Sequence, residues 1–137
     1  MTGEAGMSDA ERRGLLHDLR RLLDPEWFPD VLVVLAAGSR PYTGLLHAIR
    51  SYGTAGTSRR PQPRIQDGVL SRTLRWLEAR GLVEHTREEQ FPFPTSYRLT
   101  PPAEELVELL EPLAAWARKH EDLLLRDQRE RSRRRRA

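Results

Sequence analysis

The longest uninterrupted apolar run in the chain is Val31 to Ala37, seven residues closed by Gly38. It is far too short to cross a bilayer, which takes roughly 20 residues, yet it is apolar nearly all round. A helix of that kind has no polar face to give to water and belongs at the centre of a domain. Every other segment must then supply a one-sided surface to cover it. A chain of 137 residues is long enough for one such core and little more.

The covering segments can be read by period. Ser8 and Glu11 have capping-box spacing, which predicts a first helix from residue 9 and leaves 1–8 as a flexible N-terminus. Leu15, Leu16, Leu19, Leu22 and Leu23 form its stripe, and Asp24-Pro25 ends or bends it. The central helix starts at about Pro25 or Pro29. Pro41 fits the first turn of a third helix that carries Tyr42, Leu45, Leu46 and Ile49 inward. Residues 50–65 are rich in Gly, Ser and Pro and have no period, which reads as a long loop insertion. A fourth helix from about Asp67 to Arg80 buries Leu70, Leu74 and Leu77, with Gly81 as its stop. Leu82 to Arg87 and Ser96 to Thr100 read as two short strands joined through a tip at 88–94.

Thr100-Pro101-Pro102 opens a long helix to about residue 125, with Thr100 as cap. Leu106, Leu109, Leu113, Trp116, His120 and Leu123 make a heptad seam along it, and Pro112 is expected to kink it. Residues 126–137 read as a frayed basic tail. The class is mainly α with a small β-hairpin, one domain over 9–125.

The formal charge of +3 conceals four blocks. Residues 1–30 carry net −3, 31–80 carry eight Arg against Asp67 and Glu78 for net +6, 81–125 carry net −5, and 126–137 carry net +5. A basic centre flanked by acidic helices is a footprint for a polyanion, because Arg that neutralises phosphate releases condensed counterions; charge blocks are also often just solvated faces. The cations are 22 Arg and a single Lys, Lys119. Codon usage accounts for that bias in bulk; the planar fork of Arg also suits phosphate and guanine. There is no Cys, which removes disulfides, thiolate metal sites and thiol nucleophiles. No apolar signal core stands at the N-terminus, so a soluble, cytoplasmic protein is expected. His17, His47, His85 and His120 lack metal-ligand spacing, and no nucleophile-elbow or phosphate-loop motif occurs. Neither a cofactor nor an enzyme is expected.

The order of elements is that of a winged helix-turn-helix, and particular residues carry a family resemblance. These are Trp27, Val33-Val34-Leu35, the turn Gly38-Ser39-Arg40-Pro41-Tyr42-Thr43-Gly44-Leu45, and the segment Leu70 to Val83 with Ile65 before it. Pro94 to Thr100 and Leu113-Ala114-Ala115-Trp116 complete the set. Together they resemble the HxlR-type transcription regulators, relatives of the MarR group, from about Trp27 to Ala117. Departures are the missing N-terminal redox Cys, Gly44 where the family has Glu, and Tyr42 where it has Phe. The connection before the fourth helix is also about ten residues longer than a usual short turn.

The resemblance implies double-stranded DNA as partner, with the fourth helix in the major groove and the hairpin as a wing. Arg72 and Arg75 would fork onto guanine, with Ser71 and Thr43 as neutral contacts, Arg87 on the wing, and Asp67, Gly68 and Thr73 sharing the outward face. Arg59, Arg60 and Arg64 form either a basic flap or a plain linker. Glu88 and Glu89 at the wing tip repel phosphate unless screened by Arg87 and Arg98. The tail Arg133 to Arg136 adds non-specific affinity or is an inert end. The stripes of helices 9–23 and 101–125 predict a homodimer through Leu15, Leu19, Leu22, Leu106, Leu109, Leu113, Trp116 and His120. His120 either sets register and responds to pH or is tolerated at the edge. Trp27, Phe28, Tyr42 and Trp116 line an effector pocket or are core; Phe91 and Phe93 at the tip invite the same choice between partner contact and packing. The alternative function is a winged-helix protein that binds a small effector or protein partner, with little specific DNA binding.

Overall fold

The computed structural model describes residues 6–55, 64–87, 89–92 and 94–136. Helix α1 spans Asp9–Leu22, and Ser8 caps it, its Oγ accepting the Glu11 N–H at 3.1 Å. Helix α2, Phe28–Ala36, is the central element, burying Phe28, Val31, Leu32, Val34 and Leu35. It is not covered all round, however. Val33 is 58% exposed, because its position lies opposite the arc set by 28, 31, 32 and 35, and so small a domain cannot enclose a helix on every side.

Strand β1, Arg40–Pro41, precedes helix α3, Tyr42–Ala55. Pro41 therefore lies in a strand and not in the first turn of the helix. The strand forms because β3 offers an open edge: Arg40 pairs with Tyr97 and Pro41 with Ser96. Helix α3 also runs past the expected end, taking residues 50–55 out of the presumed loop. Leu45 and Ile49 are its buried anchors. Residues 56–63, with Arg59 and Arg60, lie outside the described residues.

Helix α4, Asp67–Ala79, buries Leu70, Leu74 and Leu77 as expected. It ends in a Schellman turn: Leu82 N–H reaches the Leu77 carbonyl at 3.0 Å and Gly81 N–H the Glu78 carbonyl at 3.1 Å. Gly81 takes φ +75° there, a conformation that costs other residues a clash with their Cβ. Strands β2, Val83–Arg87, and β3, Thr95–Leu99, pair antiparallel with Val83 opposite Leu99 and Arg87 opposite Thr95. The sheet is thus three-stranded, order β1-β3-β2.

Helix α5 spans Pro101–Lys119 and α6 spans Glu121–Arg136. Three expectations change here. Thr100 does not cap α5 with its side chain; its hydroxyl instead donates to the Gly81 carbonyl at 2.6 Å, tying the start of α5 to the end of α4. The long helix breaks at His120, with φ −118° and ψ 41°, rather than running to 125. The tail is helical and not frayed, for the break starts a new helix with Glu121 and Asp122 in its first turn and Arg133 to Arg136 in its last, both favourable to the helix dipole.

One core joins α2, α3, α4, the sheet and the first turn of α5, through residues such as Phe28, Leu45, Ile65, Leu74, Val83 and Ala103. Trp76 closes it, edge-on to Phe28 at 6.4 Å between centroids, with the Arg80 guanidinium 3.8 Å above its ring. No helix among the described residues is long and apolar enough to cross a membrane.

Candidate nucleic-acid interface

Burying Leu70, Leu74 and Leu77 turns the opposite side of α4 to solvent. That side presents Gly68, Arg72 and Arg75, all exposed. Among the described residues neither arginine is in an ion pair. Two uncommitted guanidinium forks one turn apart on a convex helix are suited to phosphate or base edges. Thr73 does not share this face: it is half-buried, and its hydroxyl donates to the Val69 carbonyl at 2.8 Å within the helix.

The flank of α4 facing α3 and the sheet is a hydrogen-bonded seam. The Tyr42 hydroxyl is within hydrogen-bonding reach of Asp67, at the carbonyl oxygen (2.7 Å) and the carboxylate. Ser71 Oγ donates to the Tyr42 hydroxyl at 3.1 Å. Further along, His85 Nδ1 on β2 lies 2.5 Å from Glu78 Oε2 on α4, and Tyr97 on β3 packs against both His85 and Tyr42, at 6.0 and 6.4 Å. These groups edge an open cavity of about 420 Å³ that also meets Arg75. Burial raises the Tyr42 phenol above its ordinary value, and the Asp67 hydrogen bond raises it further. Tyr97 is raised by burial and by Glu78, and lowered in part by Arg75. Both phenols therefore stay protonated near neutral pH, and that of Tyr42 is fixed by its hydrogen bonds to Asp67 and Ser71. Since Asp67, Ser71 and Glu78 are engaged by Tyr42 and His85, the cavity is a joint between recognition helix and wing.

A second joint was not foreseen. Arg50, on α3, donates from Nε and Nη2 to the Ile65 carbonyl at 3.2 and 3.0 Å. It fastens α3 to the residue two before α4, across the connection that begins at 56. Ile65 is buried and Arg64 beside it exposed.

The remaining candidates divide. Thr43 is exposed on the first turn of α3, beside Tyr42, and Arg87 is exposed at the end of β2. Arg98 pairs with Glu84 opposite it on β2, Nε to Oε1 at 2.7 Å, which sets its charge back from the wing tip it was expected to screen. Glu88 and Phe93 lie outside the described residues; Phe91 is 85% exposed. The four aromatics proposed for a pocket go to separate places: Phe28 into the core, Trp27 against its edge, Tyr42 into the seam, and Trp116 half-exposed, its ring 4.8 Å from His120. On the proposed dimer stripes Leu22 and Leu106 pack against the core and Leu19 is half-buried. Leu15, Leu109, Leu113 and Trp116 are 52%, 66%, 58% and 50% exposed, and Leu16 and Val33 add to this apolar surface. No group of three or more His, Asp or Glu among the described residues is placed to hold a metal ion.

The family model described as HxlR-like helix-turn-helix matches residues 22–124. A solved structure titled as a MarR-family transcriptional regulator, from Enterococcus faecalis V583, aligns with TM-score 0.68 at 19% identity, covering 91% of this chain and 99% of its own. The reduced form of the transcriptional regulator YodB from Bacillus subtilis aligns at 0.61 and 21% identity, covering 84% and 95%. YtfH from Salmonella typhimurium aligns at 0.56 and 23%, covering 84% and 90%. Identities this low establish the shared fold alone. No curated protein is significantly similar in sequence.

Proposed function

The chain belongs to the HxlR-like helix-turn-helix family, and on that premise we propose that it is a sequence-specific DNA-binding repressor, working as a homodimer on a palindromic operator. The observation that carries this reading is the outward face of α4, where Arg72 and Arg75 are exposed and outside any described ion pair. With α4 in the major groove, each guanidinium can donate two hydrogen bonds to guanine O6 and N7, a pairing worth roughly 1–3 kcal/mol of discrimination. Thr43, Arg64 and Arg87 are the phosphate contacts on either side, whereas the Ser71 proton is donated to Tyr42; Arg59 and Arg60 join the phosphate contacts if the 56–63 connection lies on the backbone.

Dimerisation covers the exposed leucines of α1 and α5 and spaces two recognition helices about 34 Å apart, one turn of B-DNA. A chain without Cys has no thiol to oxidise, so its regulation is not by a thiol switch of its own. The protein works in the cytoplasm, and we read no catalytic role in it.

The test is titration of an operator obtained by selection from random duplexes. Arg72→Ala and Arg75→Ala each weaken the selected operator roughly tenfold or more while leaving random DNA nearly unchanged. Equal loss on both would remove these residues from base reading. Loss of no affinity at all, with the parent insensitive to salt between about 50 and 200 mM, would favour a small-molecule or protein partner in place of DNA.

A further inference from the structure

Helix α6 changes what the terminal arginines are. On a helix, Arg126, Arg129, Arg133 and Arg136 recur at intervals of three, four and three residues, and so fall on one face. All four are exposed. Arg133 is held by Glu130 at 3.1 Å, a surface pair that gives up little when exchanged for another anion. Arg131 lies off the stripe and is tied to Asp127 at 2.8 Å. From Arg126 to Arg136 no side chain is apolar. A protein interface needs a desolvated apolar centre, and this segment has none to offer. What it offers is a straight row of guanidinium forks about 15 Å long, enough to follow a short run of successive phosphates on one DNA strand.

We propose that α6 is a second nucleic-acid contact, its Arg126-Arg129-Arg133-Arg136 stripe lying along the phosphate backbone of the bound duplex. This rests on the DNA-binding reading above and adds a surface to it. The contact is with phosphate only, so it adds affinity on every sequence and no base preference. Because the stripe is held on a helix, its arginines are set in a row before DNA arrives, unlike those of a loose tail.

The experiment compares two triple variants that remove equal charge, R126Q/R129Q/R136Q on the stripe and R131Q/R134Q/R135Q off it. Gln keeps helix propensity, and circular dichroism checks that α6 is retained. Binding to the selected operator and to a random duplex is followed by anisotropy over about 50 to 200 mM salt. The stripe variant flattens the slope of log affinity against log salt by about 2 per chain, and weakens both duplexes on the order of tenfold at low salt. The off-stripe variant changes the slope by less than half as much, and R126K/R129K/R136K retains it. Equal flattening by both Gln variants would overturn the stripe, leaving only diffuse charge. An unchanged slope together with a shifted oligomeric mass would also overturn it, pointing to the exposed Glu104, Glu108 and Glu111 of α5 in a second copy. If the parent binds no duplex, the DNA reading itself falls, and that is visible before any α6 variant is made.

Discussion

Removing Arg50 tests whether the recognition helix is held from behind. In Arg50→Ala, the Ile65 carbonyl loses two donors at 3.2 and 3.0 Å, and Ile65 is 1% exposed, so little water can replace them. A hydrogen bond to a charged donor contributes about 1.5–3 kcal/mol, and stranding a buried acceptor costs about 1–3 kcal/mol. These are two descriptions of one loss and are not to be added. The guanidinium is only part-buried, which discounts the upper end and leaves about 2 kcal/mol. With a urea m-value of roughly 1.5 kcal/mol/M, suited to a small domain, the unfolding midpoint falls by roughly 1 M. Arg50→Lys keeps one donor and recovers about half of that. Operator affinity falls along with stability in Arg50→Ala and recovers in the Lys variant, because the same bond sets where α4 begins. Midpoints within about 0.3 M of the parent for both variants would refute the reasoning: the clamp would then be ornamental and Ile65 held by packing alone.

Three other outcomes are expected. Leu74→Ala, at a position 2% exposed, costs about 2–5 kcal/mol through lost burial and the cavity left behind, as read by urea denaturation; a loss below about 1 kcal/mol would mean the core collapses around the gap. Leu113→Asp gives a monomeric mass by light scattering with helicity intact, and an unchanged dimer mass would take α5 out of the interface. Asp30 has its carboxyl raised from the ordinary 3.8, by burial first and by Glu26 as well, against its own backbone hydrogen bond. The folded state thus holds this proton more tightly than the unfolded one, and that contribution is present below pH 3.8 and lost as the pH rises through the raised value. Asp30→Asn accordingly raises Tm at pH 7, and the gain closes as the pH falls toward 4; a gain independent of pH would contradict this.

Helix α4 was legible because everything that defines it is local: Leu70, Leu74 and Leu77 at one face and Gly81 at the turn. Strand β1 was not, since two residues carry no period and pair only because β3 leaves an edge open to them. The extension of α3 through Ser51-Tyr52-Gly53-Thr54-Ala55 was hidden by poor intrinsic propensity, which Ile49 in the core and Arg50 on the Ile65 carbonyl override. Helix α6 had signals that its arginine run obscured: Asp127 four residues before Arg131 and Glu130 three before Arg133 are supporting pairs on a helix, and Arg itself is a good helix former. The face reading of Arg72 and Arg75 followed from the leucines. The seam beside it did not, because Tyr42, Asp67, Glu78, His85 and Tyr97 come from four elements that only the fold brings together.

Strand β3 is paired on one edge with the wing strand β2 and on the other with β1, whose chain continues directly into α3. Wing and α3 thus share a single foundation, and α4 is tied to it by the Tyr42–Asp67 contact at its start and the His85–Glu78 contact near its end. Two elements hinged separately would each have to be aligned on the duplex at the moment of docking, with a loss of rotational freedom for each. Here their mutual angle is settled at folding, so that cost is met before any DNA is present. A substitution in the wing then acts as a tilt of the whole reading head, and its effect is felt at bases the wing never touches.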